Sequence, residues 1–177
     1  DVYKRQERFF EIVDGVEILR SKTERSYLST PKDPLKHGAT KQQNVILNDK
    51  KTSTEFTYAL EGDKLRVKSS TRGFDDALQT FEKVLCTLNG LPLSELGVDG
   101  ERIEYEYDAI GRTVRKTVAP GTPYAAATQW AYLAASKEQP ATVVTTDPVG
   151  GEQRVTYDGL ERVITVQEKD CDHPDKD

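Results

Sequence analysis

At 177 residues the chain is long enough for one domain core, and 36% hydrophobic with 31% charged residues describes an ordered but strongly solvated protein. The net charge of −5 argues against a nucleic-acid binder, which carries a basic face. No run approaches the roughly 20 apolar residues of a membrane helix, and Cys86 and Cys171 stand too far apart in sequence to decide a redox compartment.

The chain begins with Asp1, contains no methionine, and is expected to be an internal fragment. Asp1-Val-Tyr-Lys-Arg-Gln6 resembles a translated sequencing adapter, so residues 1–6 are expected to be non-native and are set aside from the fold. From there short β-like runs recur between turn signals. Phe9–Val13 and Val16–Leu19 flank Asp14-Gly15, a strong hairpin signal. Residues 31–44 hold two prolines, a glycine and several lysines and read as a loop. Asn44–Leu47 is a strand that turns at Asn48-Asp49-Lys50. Phe56–Leu60 and Lys64–Val67 flank Glu61-Gly62-Asp63. Gln79–Leu88 carries Phe81, Val84, Leu85 and Leu88 at helical spacing, but its neighbours argue for a strand pair around Asn89-Gly90, and strand is the preferred reading. Ala125–Ser136 is alanine-rich, which suits a helix, while Thr128, Trp130 and Tyr132 alternate as in a strand. Thr142–Thr146 is a β-branched strand, followed by the turn Asp147-Pro148-Val149-Gly150-Gly151.

One pattern occurs twice. Gly100-Glu-Arg-Ile-Glu-Tyr-Glu-Tyr107-Asp108-Ala-Ile-Gly111-Arg112 is matched by Gly151-Glu-Gln-Arg-Val-Thr-Tyr157-Asp158-Gly-Leu-Glu161-Arg162, with Tyr107 and Tyr157 50 residues apart. Ile103, Tyr105 and Tyr107 alternate with Arg102, Glu104 and Glu106, the period of a half-buried strand. Asp108 stands where a turn needs a short side chain that bonds the backbone ahead of it. Gly111 stands where a type I turn is followed by a left-handed residue. The Arg112 guanidinium has two partners open to it, Asp108 or a tyrosine ring. In the second copy Glu161 replaces the glycine. A left-handed Glu is strained, so the turn is expected to shift onto Asp158-Gly159.

Tyr-Asp-x-x-Gly-Arg with an upstream glycine resembles the YD repeat of the Rhs family: large, mostly bacterial, secreted or cell-surface proteins that include shell subunits of insecticidal toxin complexes and polymorphic toxins, with the animal teneurins as relatives. The stretch Arg112–Tyr124 and Tyr157-Asp-Gly-Leu-Glu-Arg162 resemble Rhs proteins of the insecticidal kind. The match covers about residues 88–170, and Gly73-Phe-Asp-Asp-Ala-Leu78 reads as a worn copy. The resemblance divides the chain into the set-aside residues 1–6, a degenerate β-hairpin region 7–87, a YD-repeat region 88–170, and an acidic tail 171–177. It implies an all-β fold of repeated antiparallel hairpins, a segment of a curved shell that encloses a toxic C-terminal cargo and serves virulence. The structural positions would be Gly100, Tyr107, Asp108, Gly111, Arg112, Gly151, Tyr157, Asp158 and Arg162. The implied partners are the rest of the shell, as intramolecular strands or a partner subunit, and the enclosed toxin. No nucleic acid, membrane span, cofactor, metal or catalytic group is expected.

Other constellations read as ordinary surface. His37 lies in the charged loop and His173 in the tail, neither with a partner at metal spacing, and Cys171-Asp172-His173 lacks the paired spacing of a zinc site. Glu104 and Glu106 share a strand face, which is more often solvated than an acid–base pair. Asp147-Pro148-Val149-Gly150 has the letters of the Rhs self-cleavage core, but it stands between repeats without that core's aromatic- and asparagine-rich flanks, and reads as a hairpin turn. Trp130 with Tyr124 and Tyr132 could stack on sugar, as the alternative function of a cell-surface adhesion or carbohydrate-binding module would require, but packing between adjacent hairpins is the preferred reading.

Overall fold

A computed structural model describes residues 5–169. Among the described residues the fold is all-β, with thirteen strands whose hydrogen-bonded order is their order in the sequence. They are β1 (Gln6–Val13), β2 (Val16–Tyr27), β3 (Thr40–Leu47), β4 (Lys50–Glu61), β5 (Lys64–Arg72), β6 (Leu78–Cys86), β7 (Pro92–Leu96), β8 (Arg102–Tyr107), β9 (Thr113–Val118), β10 (Ala126–Leu133), β11 (Ala141–Thr146), β12 (Glu152–Tyr157) and β13 (Val163–Lys169). The chain divides into two compact units. One runs to Gly90 and takes in Glu95–Gly100; the other holds Leu91–Ser94 and the residues from Glu101 onward.

In the first unit, β1 to β6 pair antiparallel in succession. Asp14 and Gly15 take φ of 51° and 77°, and Asn48 and Asp49 take 47° and 61°, the paired left-handed geometry whose twist matches the flanking strands. β3 begins at Thr40, four residues before Asn44 where the sequence reading started the strand, so the loop ends at Ala39 rather than at residue 44. Thr40–Gln43 has no apolar residue to signal a strand. Polar bonds across strands hold it instead: Arg25 Nε donates to Gln43 Oε1 at 3.1 Å, and Gln42 Nε2 to Ser53 Oγ at 3.2 Å, while Ser53 Oγ donates to Asn44 Oδ1 at 2.8 Å. β6 is a strand over nine residues, each facing one residue of β5. Its helix-like spacing arises because it carries apolar residues on both faces: Phe81 opposite Ser69 and Leu85 opposite Leu65 on one, Val84 opposite Arg66 on the other. Gln6 opens β1, and the Arg5 carbonyl accepts from the Arg25 amide at 2.8 Å, so residues 5 and 6 extend the ladder although the sequence reading set them aside. The other set-aside residues, the acidic tail, Cys171 and His173 lie outside the described residues.

In the second unit, β8 to β13 also pair antiparallel in succession. The alanine-rich stretch is strand β10, as its alternation indicates. Residues opposite one another in register share a face. Ile103, Tyr105 and Tyr107 therefore lie on one side with Val118, Trp130, Tyr132, Val143, Val155 and Tyr157. Glu104, Glu106, Arg115, Gln129, Arg154 and Glu152 lie on the other. Among the described residues none is fully buried; the apolar face is half-buried by its own neighbours. Domains normally bury such a face against a second layer. Within each unit, the contacts come from strands lying side by side.

Three tyrosines tie a strand to the one before it. The hydroxyl donates to the carbonyl of the first residue of the preceding strand: Tyr58 to Thr40 at 2.8 Å, Tyr107 to Pro92 at 2.6 Å, Tyr132 to Thr113 at 2.9 Å. Burial pushes the Tyr58 phenol pKa up, which keeps it a donor at any ordinary pH. Removing that hydroxyl takes a hydrogen bond from a part-buried carbonyl. Tyr58→Phe is expected to cost about 1 kcal/mol in urea unfolding with little change in slope; an unchanged midpoint would dismiss the latch.

Candidate functional site: the aspartate-clamped hairpins

β8 and β9 are joined by the five-residue loop Asp108–Arg112. The Asp108 amide donates to the Arg112 carbonyl at 2.9 Å and the Gly111 amide to the Asp108 carbonyl at 3.0 Å, with Gly111 at φ +88°. The Asp108 carboxylate folds back over the loop. Its Oδ1 accepts from the amides of Ile110 at 3.1 Å and Arg112 at 2.9 Å, and its Oδ2 from Arg112 Nε at 2.7 Å. Arg112 takes both partners the sequence offered it, because its guanidinium carbon also lies 4.2 Å from the ring centre of Tyr132 on β10. Beyond the loop Tyr107 faces Thr113 but Glu106 faces Arg115, leaving Val114 as an extra bulge residue.

The second copy departs from expectation. The turn does not shift onto Asp158-Gly159. The Asp158 amide donates to the Arg162 carbonyl at 2.9 Å, the Glu161 amide to the Asp158 carbonyl at 3.0 Å, and Glu161 itself is left-handed at φ +60°. Asp158 Oδ1 accepts from Leu160 and Arg162 amides at 2.8 and 2.9 Å, and Oδ2 from Arg162 Nε at 2.7 Å. The bulge recurs too: Tyr157 faces Val163, Thr156 faces Thr165, and Ile164 is the extra residue. The physical reason is that the five polar bonds of the clamp outweigh the strain of one left-handed Glu, about 1–2 kcal/mol. The pairing of Gly100 with Gly151 is also corrected. Gly100 and Gly150 are the left-handed pair, at φ +83° and +97°, each seven residues before its tyrosine. Gly151 answers another demand: a Cβ there would stand 2.7 Å from Asp147 Oδ2.

The same loop is used beyond the two signatures. Asp147–Gly151, read from sequence as a hairpin turn, joins β11 to β12. The Asp147 amide donates to the Gly151 carbonyl at 2.9 Å, and Asp147 Oδ1 accepts from Val149 and Gly151 amides at 3.0 and 2.7 Å. Gly73–Ala77 repeats the backbone pattern at 2.9 and 3.2 Å with Asp76 at φ +60°, but a glycine holds the clamp position. The spacing Asp147-x-x-Gly150 was legible beside Asp108-x-x-Gly111. Tyr58 and Tyr132, outside any Tyr-Asp pair, carried no such signal.

Glu104 pairs with Arg102 at 2.8 Å and Glu106 with Arg115 at 3.8 Å on the polar face. His37 Nδ1 accepts from the Thr30 amide at 3.2 Å beside a cleft of about 350 Å³ lined by Arg5, Arg25, Tyr27 and Ser29. Among the described residues no group of three His, Cys, Asp or Glu side chains is placed to hold a metal ion. Trp130 is half-buried opposite Thr145 on the face of Tyr132, and Tyr124 is exposed in the loop before β10. No protein-family model matches the chain, and no curated protein does.

The carboxylates carry the electrostatics. Partial desolvation pushes Asp108 up, but the Arg112 amide and guanidinium and the Ile110 amide together outweigh it and hold the group below the ordinary aspartate value. Asp158 is held low first by the Arg162 amide, then by its guanidinium and the Leu160 amide. Groups depressed in the folded state contribute stability that is complete above the unfolded value, about pH 4, and is lost as pH falls through the folded values. Paired Asp108→Asn and Asp158→Asn substitutions are expected to flatten the stability profile below about pH 4; an acid limb identical to that of the parent would refute the clamp's role. Separately, Glu161→Gly is expected to stabilise by roughly 0.5–1 kcal/mol in chemical denaturation, relief of left-handed strain exceeding the entropy glycine adds to the unfolded chain. A loss of stability would place the strain elsewhere.

Proposed function

We propose that this chain is a wall segment of an Rhs-type YD-repeat toxin protein, secreted or on the bacterial cell surface, whose hairpins build a hollow shell around a C-terminal toxic polypeptide. The observation that carries the reading is the recurrence of one aspartate–arginine clamped hairpin, alike down to the bulge, within strands laid down in sequence order. Tyr107, Asp108, Gly111, Arg112, Tyr157, Asp158 and Arg162 hold hairpins in register and do no chemistry. The mechanism is exclusion: each strand covers its neighbour's edge, and the closed wall keeps the cargo from its surroundings. The rest of the shell and the enclosed polypeptide are the partners, and no cofactor is required.

A sheet with one apolar face half open and no fully buried side chain leaves its surface unsatisfied when cut from its wall. The isolated chain is therefore expected to associate with rising concentration in sedimentation velocity. A chain that stays a monodisperse monomer across that range would overturn the shell reading. A second reading, a recognition module for carbohydrate, draws on Tyr105 and Tyr107, whose rings lie 6.5 Å apart and 21° from parallel on the apolar face. Glycan binding abolished by Trp130→Ala, in a variant that keeps its β-sheet circular dichroism, would favour it.

A further inference from the structure

The apolar face of the second unit carries one charge that has no partner in the sheet. Three rows cross this face. Ile103, Val118 and Ala126 stand opposite one another across β8, β9 and β10, and Tyr105, Lys116 and Thr128 form the next row. Tyr107 on β8 and Trp130 on β10 follow, two residues beyond Tyr105 and Thr128. Lys116 is therefore set between an aliphatic row and an aromatic one, and it is half-buried there. In strands β8 to β12 no other described residue on this face is charged. Glu104 and Glu106 project from the opposite side, where Arg102 and Arg115 hold them at 2.8 and 3.8 Å. Asp147, just after β11, turns its carboxylate to the Val149 and Gly151 amides of its own loop at 3.0 and 2.7 Å. Among the described residues Lys116 makes no hydrogen bond or ion pair. While the face is open, water solvates the ammonium above its aliphatic stem. A layer laid over the face removes that water, and burying an ammonium without a partner costs far more than burying an unpaired neutral group.

We infer that this face is a docking site for a polypeptide segment that brings an Asp or Glu carboxylate to Lys116, with apolar side chains two positions before and after it. The spacing follows from the sheet. Alternate residues of a strand stand roughly 7 Å apart, so the aliphatic row, Lys116 and the Trp130 row call for apolar, acidic and apolar side chains in that order. Ile103 and Val118 offer no polar atom to a hydroxylated ligand, whereas they suit the apolar side chains of a polypeptide. A lone cation in apolar surroundings also fixes register: a segment shifted by two residues would bury Lys116 against an apolar side chain and its own carboxylate against a ring. Apolar contact supplies the affinity and the ion pair supplies the selectivity. The inference rests on the shell reading only for the origin of the segment, which there is the enclosed polypeptide.

The probe is the acetylated and amidated peptide Lys-Val-Thr-Phe-Thr-Glu-Thr-Phe-Thr-Val-Lys, compared with the same peptide carrying Gln in place of Glu. Each is titrated into the 177-residue chain at protein concentrations where the chain sediments as a monomer. Trp130 is the only tryptophan of the chain and lies on the face in question, so its emission reports when the face is covered. A saturable blue shift is expected, with the Glu peptide binding about fivefold tighter than the Gln peptide. Lys116→Met keeps an unbranched apolar stem without the charge and should abolish that preference. Absence of saturable binding, equal affinity of the two peptides for the parent chain, or the same preference in Lys116→Met would overturn the site. A blue shift that follows protein concentration and ignores peptide would assign the face to a second copy of the chain, and would overturn it as well. The comparison of the two peptides uses the unaltered protein, so it decides the matter even where Lys116→Met disturbs the sheet. Failure here leaves the shell reading standing or falling on the association measurement alone.

Discussion

A carboxylate that accepts two backbone amides of its own loop and the side chain of the residue that closes it is the constraint on which this sheet depends. With no side chain of the described residues fully buried, register cannot be set by a packed core, and a one-residue slip would carry Tyr105, Tyr107, Tyr132 and Tyr157 to the polar face. The clamp prevents the slip locally. It defines where one strand ends, places a bulge two residues after the arginine, and so fixes which residue of the returning strand meets the tyrosine. That Glu161 is forced left-handed to keep this geometry indicates which contribution dominates when turn propensity and carboxylate bonding disagree.

The tyrosine latches act at right angles to the clamp. A clamp closes a hairpin on itself; a latch reaches a carbonyl of the preceding strand. Tyr132 does both kinds of work, since its ring covers Arg112 while its hydroxyl holds Thr113. Successive hairpins are thereby coupled through side chains as well as through the ladder.

A single amphipathic layer states what its surroundings must supply. The apolar side, with Tyr105, Tyr107, Trp130 and Tyr132, needs cover, whereas the side bearing Glu104, Glu106, Arg115 and Arg154 suits water. Exposed ion pairs such as Arg102–Glu104 add solubility more than stability.

Much of this was legible in the residues. Alternation in Ile103–Tyr107, the Asp14-Gly15 turn, the β-branched run Thr142–Thr146 and the repeated Tyr-Asp loop each carry their own local reason, and local reasons survive into the fold. What tertiary structure alone decided has its cause in partners distant along the chain. Thr40–Gln43 became strand through bonds to residues of β2 and β4 that no window around it contains. Tyr58 and Tyr132 became latches only once the preceding strand's first carbonyl lay within reach. Glu161 is different: its glycine-like conformation has a local cause, five bonds within Asp158–Arg162, whose sum propensity at one position does not report. Sequence by itself determined the period, most of the turns and the all-β class, since those depend on neighbours two to five residues away; pairing across strands decided the start of β3 and the ring over Arg112, since those depend on contacts closed only when the sheet forms.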